Sequence, residues 1–478
     1  MTGYFSVEKI RAAEEATGDL LTSGALMARA ANGVARVALG ELRARGAGIY
    51  GRTVGLVIGA GNNGGDALYA GAILAGRGVA CHAVLLAPDK THADALAAYR
   101  RAGGRVIDAF TAPLDVVLDA VVGLGGRGPL RPEAAQAFAS RCAAEATVIA
   151  VDLPSGIDPD TGVVSDPSVR ADVSVTFGEP RLAHLLAAPQ CGRVEVVDLG
   201  LDLHDPDITV PDDRENAALW PVPGPRDDKY TQGVVGIVAG SATYPGAALL
   251  ATQAAVAATS GMTRYVGPAA HDVVNHRPEV VAVERFDDAG RVQAWVVGPG
   301  LGADSRAHDL VETVLRSDVP VLVDADGLTI LASRPGLLRG RTAPTLLTPH
   351  AGEFARLAAA PVGDDRLSAV RDLAATLGAT VLLKGRITLV ADPDGRVAGN
   401  DAGASWAATA GAGDVLSGIA GSLLAAGLTP LTAGTLAARA HAVAARIASG
   451  PAPGHPIGAS DLAAALPDAI TLLRQSRR

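Results

Sequence analysis

Cysteine and aromatic side chains are scarce in this chain of 478 residues, and long uninterrupted apolar runs are missing. The three cysteines, Cys81, Cys142 and Cys191, lie far apart with no C-x-x-C pair. That leaves no thiol metal site and no disulfide framework, so they read as small core residues in a reducing cytosol. Phe, Trp and Tyr make up 3% of the chain and the formal net charge is -9. A polyanion finds few stacking platforms and net repulsion, so nucleic acid is not expected as a partner, although a local loop can still hold a nucleotide phosphate. The most apolar stretches, Ala247–Gly261 and Val415–Gly427, are rich in Ala, Ser, Thr and Gly. They read as helices buried on a sheet rather than membrane spans. The opening MTGYFSVEKIRAAEEATGD reads as a short polar lead and an amphipathic charged helix, with no secretory signal. A soluble cytoplasmic protein is expected, with no membrane partner.

What is present is core-forming material. Hydrophobic residues make up 49% and charged residues 19% of a length that suggests two or three domains. GLVIGAGNNGGD, VVLDAVVGLGGRG, VIAVDLPSGID, WVVGPGLG, VPVLVDADGL, PTLLTPHAGE and ATVLLKGRIT each run from continuous Val, Leu and Ile into a polar, glycine-bearing turn. Such runs mean strands buried on both faces, hence a largely parallel sheet under helices whose carboxyl-end loops collect ligands. The fold class expected is α/β in two domains. Residues 200–225 are crowded with Pro and Asp and show no sustained period, so 206–226 reads as a linker between domains at 1–205 and 227–478.

In GAGNNGGDA the glycines suit a phosphate-cradling turn, but two adjacent amides and a carboxylate suggest that Asn62, Asn63 and Asp66 act through their side chains. Two further turns carry Asp119 with Gly123–Pro129, and Asp152 with Ser155. Amide, carboxylate and hydroxyl oxygens are hard donors suited to an alkali or alkaline-earth cation. The glycine turn offers backbone N–H groups to a phosphate, with Arg127 assisting. Asp152, one residue past an apolar strand, is placed as an acid or base. The plainer reading of Asp119 and Asp152 is as caps of helices or turns.

GAGNNGGD, LDAVVGLGGRGP and VDLPSGID together resemble the NAD(P)H-hydrate epimerase domain, a Rossmann-like three-layer α/β/α fold, over roughly Val7 to Gly200. The resemblance implies potassium held by Asn63, Asp119 and Ser155. It also implies a hydrated nicotinamide nucleotide bound by Asn62, Asn63, Gly64, Gly65, Asp66, by Gly123, Leu124, Gly125, Gly126, Arg127, Gly128, Pro129, and by Asp152. The glycines are expected to let the backbone approach this ligand. Ala67 stands where many relatives have another glycine, an exchange that narrows the loop without removing a donor.

In the second half, Gly411–Ala412–Gly413–Asp414 opens a helix of small residues. Free N–H groups at a helix start stabilise developing negative charge, and Asp414 beside them can take a proton from a hydroxyl, the requirements of phosphoryl transfer to an alcohol. An ordinary glycine turn is the plainer reading. Lys384 and Thr388 follow a buried strand where nucleotide phosphates would lie, and His350 with Glu353 follows another; a solvated lysine and a capped turn are the alternatives. The Gly-Ala-Gly-Asp turn resembles the ribokinase-like superfamily. GSATYPGAALLA, GPGLG, DADGL, TPHAGE, KGRIT and GAGDVLSG in this order resemble its NAD(P)H-hydrate dehydratases, over roughly Asp227 to Leu473. The resemblance implies a hydrate pocket of Ala247, Gly302, His350 and Asp414. Lys384, Gly385, Arg386, Ile387, Thr388 and Gly413 would hold the adenine nucleotide, with ADP as donor and Mg2+. Many relatives have GNPGMATGGTGD where this chain has GNDAGASWAATAGAGD, so the wall around Trp406 is expected to differ in shape.

Together the resemblances imply repair of the hydrates of NADH and NADPH by a homo-oligomeric enzyme. A kinase of a small alcohol and a non-catalytic nucleotide-binding scaffold are the alternatives. The first would leave a stable phosphorylated product, the second no turnover.

Overall fold

Alternate residues of the strand β1 (Thr53–Ile58) enter different cores: Val54, Leu56 and Ile58 join one apolar cluster and Val57 another. Neighbouring side chains on a strand point to opposite faces, so both faces of this sheet are covered. The computed structural model describes residues 1–46, 48–140 and 142–476. It divides into two units, Gly3–Ile208 and Thr209 onward with Met1–Thr2. The first unit continues with β2 (Ala80–Leu85), β3 (Arg105–Val106), β4 (Val116–Ala120), β5 (Thr147–Val151), β6 (Val173–Phe177) and β7 (Arg193–Val197). All pair in parallel in the order 3-2-1-4-5-6-7. This is a Rossmann-like order, and its direction reverses between β1 and β4, where the carboxyl ends open a crevice. The loops after β1, β4 and β5 are therefore neighbours at that crevice.

The second unit contains β8 (Ile208–Val210), β9 (Val234–Val238), β10 (Met262–Val266), β11 (Val281–Val283), β12 (Ala294–Val297), β13 (Val321–Val323), β14 (Thr345–Leu347), β15 (Thr380–Leu383), β16 (Ile387–Ala391) and β17 (Val397–Asp401). They lie in the order β8-β17-β16-β15-β14-β13-β12-β9-β10-β11. The pairings β15–β16 and β16–β17 are antiparallel and the others parallel. Helices Pro245–Ala258, Ala412–Ala425 and Pro430–Ser449 share one core with Val235, Ile237, Val296, Leu322, Leu346 and Leu382. Small residues bring them close. A Cβ on Gly418 would lie 2.2 Å from the Ala251 carbonyl oxygen, and one on Gly421 2.1 Å from a Val296 methyl. The two apolar stretches are thus buried helices, and among the described residues no helix is long and apolar enough to cross a membrane.

The stretch 206–226 is more ordered than a linker. It carries β8 and the helix Asp213–Leu219. That helix is opened by a reciprocal cap in which Asp212 accepts from the Glu215 N–H at 2.8 Å and Glu215 from the Asp212 N–H at 2.9 Å. Arg439 pairs with Asp213 through two bonds of 2.7 and 2.9 Å, and Trp220 is buried in the second unit's core. Two helical turns between prolines are too short to print a period on the sequence.

Two candidate active sites

In the first unit a cavity of about 620 Å3 lies at the crevice. Asn62, Asn63 and Asp66 line it from the start of helix Asn62–Ala75, Gly123 to Gly126 from the loop after β4, and Asp152 from the end of β5. Asp152 takes a left-handed backbone, φ 71°. Its Oδ1 accepts from Thr176 Oγ1 at 3.0 Å and pairs with the Arg181 guanidinium at 3.1 Å. Arg181, 1% exposed, also donates to the carbonyls of Phe177 and Glu179 at 3.0 and 2.6 Å. His184 Nδ1 accepts the Arg181 backbone N–H at 2.9 Å, so Nε2 carries the proton and donates to the Asp152 carbonyl at 2.9 Å. Burial lowers the His184 pKa to about 4, which keeps the ring neutral. The result is a rigid holder for one carboxylate.

Asp66 is buried with Oδ1 lacking any hydrogen-bond partner. Burial, and then the charges of Asp152 and Glu14, raise its pKa well above the ordinary value. Asp119 and Ser155 lie beneath the cavity rather than in its wall. Ser155 donates its hydroxyl and its N–H to the two Asp119 oxygens at 2.7 Å each, and its Oγ accepts the Val122 N–H at 3.2 Å. Burial pushes the Asp119 pKa up to about 6 against these hydrogen bonds. The Asn63 side chain packs on Gly123, and its buried Nδ2 has no partner.

Three of the four glycines of the first motif, Gly59, Gly64 and Gly65, are crowded by protein, while Gly61, with φ 81°, has open space about it. A Cβ on Gly59 would lie 1.9 Å from the Val121 carbonyl oxygen, on Gly64 2.8 Å from the Gly59 carbonyl oxygen, and on Gly65 3.1 Å from His92. They let protein approach protein, and neither Gly64 nor Gly65 lines the cavity. Ala67 faces the core and leaves the loop unnarrowed. The glycine turn also divides. Gly123 and Leu124 face the first cavity, and Gly125 and Gly126 border both it and a second of about 730 Å3, which Arg127, Gly128 and Pro129 line. The Gly126 N–H is spent on the Gly123 carbonyl at 2.9 Å. Arg11 and Glu14 of helix Val7–Ala16, His92 and Arg181 also line the first cavity. None sits in a glycine turn, and only the amphipathic charge pattern of the first helix hinted at them.

The second unit holds a cavity of about 570 Å3 lined by His350, Lys384, Gly385, Arg386, Thr388, Gly413 and Asp414 among others. Lys384 Nζ lies 2.8 Å from Asp324 Oδ1 and 3.4 Å from Glu353 Oε2, so its charge is already partnered. Ser417, one helical turn beyond Asp414, donates to Asp324 Oδ2 at 2.7 Å. Burial raises the Asp414 pKa to about 7, with Asp324 adding and Lys384 opposing. His350 caps the helix Ala351–Ala358, its Nδ1 accepting the Gly352 N–H at 2.9 Å, and still lines the cavity. His441, whose burial lowers its pKa to about 4, donates Nε2–H to the Ala412 carbonyl at 2.9 Å and so braces the start of the Asp414 helix. Asp324, Glu353, Ser417 and His441 assemble only through the fold.

Three expected members stand outside this wall. The Gly302 N–H donates to Asp326 at 2.8 Å, and Ala247 packs so close to Gly300 that a Cβ there would lie 2.7 Å away. Ile387 is buried, its carbonyl accepting from Arg366 at 2.8 Å. Trp406 turns aside to donate to the Pro453 carbonyl at 3.1 Å, leaving Ser405, Ala407 and Ala408 to form the wall. Cys81 and Cys191 are buried, their thiols pushed up to about 12 by that burial, which suits core residues.

Two family models match the chain: YjeF-related protein N-terminus over residues 23–183 and NAD(P)H-hydrate dehydratase over residues 235–462. The chain is 59% identical over 428 residues to a bifunctional NAD(P)H-hydrate repair enzyme of Mycobacterium tuberculosis, covering 90% of each. With its counterpart from Mycobacterium leprae it shares 55% identity over 475 residues, 99% of this chain and 100% of the relative. Among solved structures, the ADP/ATP-dependent NAD(P)H-hydrate dehydratase of Bacillus subtilis, co-crystallised with ATP and Mg2+, superposes with a TM-score of 0.51 at 28% identity. That match covers 56% of this chain and 99% of the other. A ribokinase-like protein of Enterococcus faecalis, at 22% identity and a TM-score of 0.52, shares the fold. With both halves matched in order along one chain, this protein belongs to the bifunctional NAD(P)H-hydrate repair enzymes.

Proposed function

We propose that the first unit interconverts the R and S forms of NADH and NADPH hydrates, and that the second dehydrates the S form using ADP, releasing AMP and phosphate. The observation that carries this reading is that the carboxylates proposed as proton carriers, Asp152 and Asp414, each line a cavity of their own unit. Hydroxide leaves poorly from the carbon beside the ring nitrogen, and phosphorylation makes the oxygen a good leaving group. Asp414 takes the hydroxyl proton as the oxygen attacks the terminal phosphorus of ADP. AMP departs, and the nitrogen lone pair expels phosphate to give a C=N bond. The adjacent ring carbon then loses a proton to water as the ring C=C bond reforms and the electron pair returns to nitrogen, restoring the dihydronicotinamide. The Ala412 N–H is donated to the Thr409 carbonyl at 3.3 Å, so the Gly413 and Asp414 N–H groups at the start of helix Ala412–Ala425 would be the ones offered to the transferred group. Lys384, Gly385, Arg386, Thr388 and Gly413 would hold the nucleotide, and Mg2+ carried with it would neutralise phosphate charge. The ATP and Mg2+ of the Bacillus relative support this assignment.

Potassium suits the first unit through Asp119, because among the described residues no cationic side chain pairs with this fully buried carboxylate. The unpartnered Asn63 atom is the donor Nδ2, so the ligand from that residue would be Oδ1. Asn63, Asp119 and Ser155 would hold the ion, which would offset the Asp119 charge and stiffen the glycine turn.

The test is recovery of the reduced-nicotinamide absorbance from a mixed pool of both NADH hydrates. Recovery should be complete with ADP and potassium. Without potassium it should slow after the S form is spent. No recovery with either ADP or ATP would sink the reading and bring back the small-alcohol kinase. Since Asp414 acts as a base only when ionised, the dehydration rate should climb with pH through about 7 and level off above it. A rate unchanged across that window would remove Asp414 from the role.

A further inference from the structure

Two carboxyl groups share the first cavity under opposite conditions. Asp152 has a buried guanidinium partner, and both its side-chain bonds fall on Oδ1. Asp66 has no cationic partner among the described residues, and its buried Oδ1 has no hydrogen bond at all. An ionised carboxylate with an orphaned buried oxygen is expensive, whereas the protonated form carries no charge to solvate. Asp66 stands in the helix that follows β1 and Asp152 immediately after β5, with β4 between those strands in the sheet, and both line the same cavity of about 620 Å3.

We infer that Asp66 and Asp152 work as an acid–base pair on the two sides of the ring carbon that epimerises, Asp66 giving a proton while Asp152 receives one. The inference rests on the epimerase reading above and assigns Asp66 a catalytic place rather than a binding one. Asp66 protonates the ring hydroxyl; the C–O bond breaks, water leaves, and the nitrogen lone pair forms the C=N bond. A water then adds to the carbon from the opposite side, the C=N electron pair returns to nitrogen, and the released proton passes to Asp152. Asp66 is now ionised and Asp152 protonated, the state that runs the reverse conversion, so one site serves both epimers without net proton uptake. Return of the proton from Asp152 to Asp66 through cavity water resets the site for another turnover in the same direction. Groups facing the pair are Glu14 and Arg11 from helix Val7–Ala16, His92 from the loop before helix Ala93–Arg101, and Arg181. Glu14, only partly buried, is the rival donor.

The test uses the full chain, supplied with one pure NADH hydrate epimer, and follows appearance of the other. D66N should lower the epimerisation kcat by about 10²-fold with KM changed less than about threefold, while ADP-dependent dehydration by the second unit continues unchanged. A D66N kcat within about threefold of the parent, or a loss confined to KM, overturns the pair. The parent chain supplies a second reading that needs no variant. Its epimerisation rate should be bell-shaped in pH, because one carboxyl must hold a proton while the other must not. A single-limbed profile, or loss in E14Q instead of D66N, overturns it equally. If the parent itself fails to epimerise, the epimerase reading fails rather than the pair.

Discussion

Asp414→Asn is expected to lower dehydration by ~10²–10⁴-fold while the hydrate still binds, the usual contribution of a positioned carboxylate base. Asparagine keeps the shape and is neutral, as Asp414 itself is when protonated, so the cavity loses a proton acceptor and little else. Stability provides a control. The folded pKa of about 7 lies above the ordinary 3.8, so across that window the folded chain holds more protons than the unfolded one and stability falls as pH rises. The variant lacks that penalty and should melt no lower than the parent in alkaline buffer. Single-turnover dehydration with saturating ADP, beside a thermal melt, checks both. A variant that retains most of its rate removes Asp414 as the base.

Asp152→Asn should abolish all but ~10⁻²–10⁻⁴ of the epimerisation rate and should also weaken the first unit. Asparagine tolerates the left-handed backbone at this position, so the turn itself survives. What changes is the partner of Arg181, which stays 1% exposed with a charge no longer neutralised. Breaking a buried pair typically costs about 3–5 kcal/mol, and the two carbonyl bonds that Arg181 keeps place this case at the low end. In the mixed-hydrate assay the variant should show a fast partial recovery, because the second unit consumes its epimer without replenishment. Full recovery at the parent rate would show that Asp152 carries no part of the proton transfer. Arg181→Lys separates charge from shape: a single ammonium keeps the charge but not the fork that also grips Phe177 and Glu179.

How much of this was legible in the sequence depends on the range of each interaction. The apolar runs, the glycine turns after them and the order of motifs are local, and they sufficed for two α/β units and for Asn63, Asp66, Asp152, Lys384 and Asp414 in their cavities. The crowding of Gly59 and Gly65 could not be read in the motif, because the Val121 carbonyl and His92 that meet them come from other strands and loops. Ala247 and Gly302 carried the right motif but stand outside the wall, since a motif preserves a turn and not the direction of each residue in it. Arg181 left no mark on the chain, and Asp324 opened the DADGL motif without an assigned role. An arginine after a proline and an aspartate ending an apolar run show no task until the fold brings Asp152 against the first, and Lys384 and Ser417 against the second. By itself the sequence determined which carboxyl groups stand at the strand ends, because strand and turn are written in neighbouring residues. Only the tertiary structure decided which carboxyl has a cation beside it and which lies buried alone, because burial and charge pairing depend on segments tens to hundreds of residues apart.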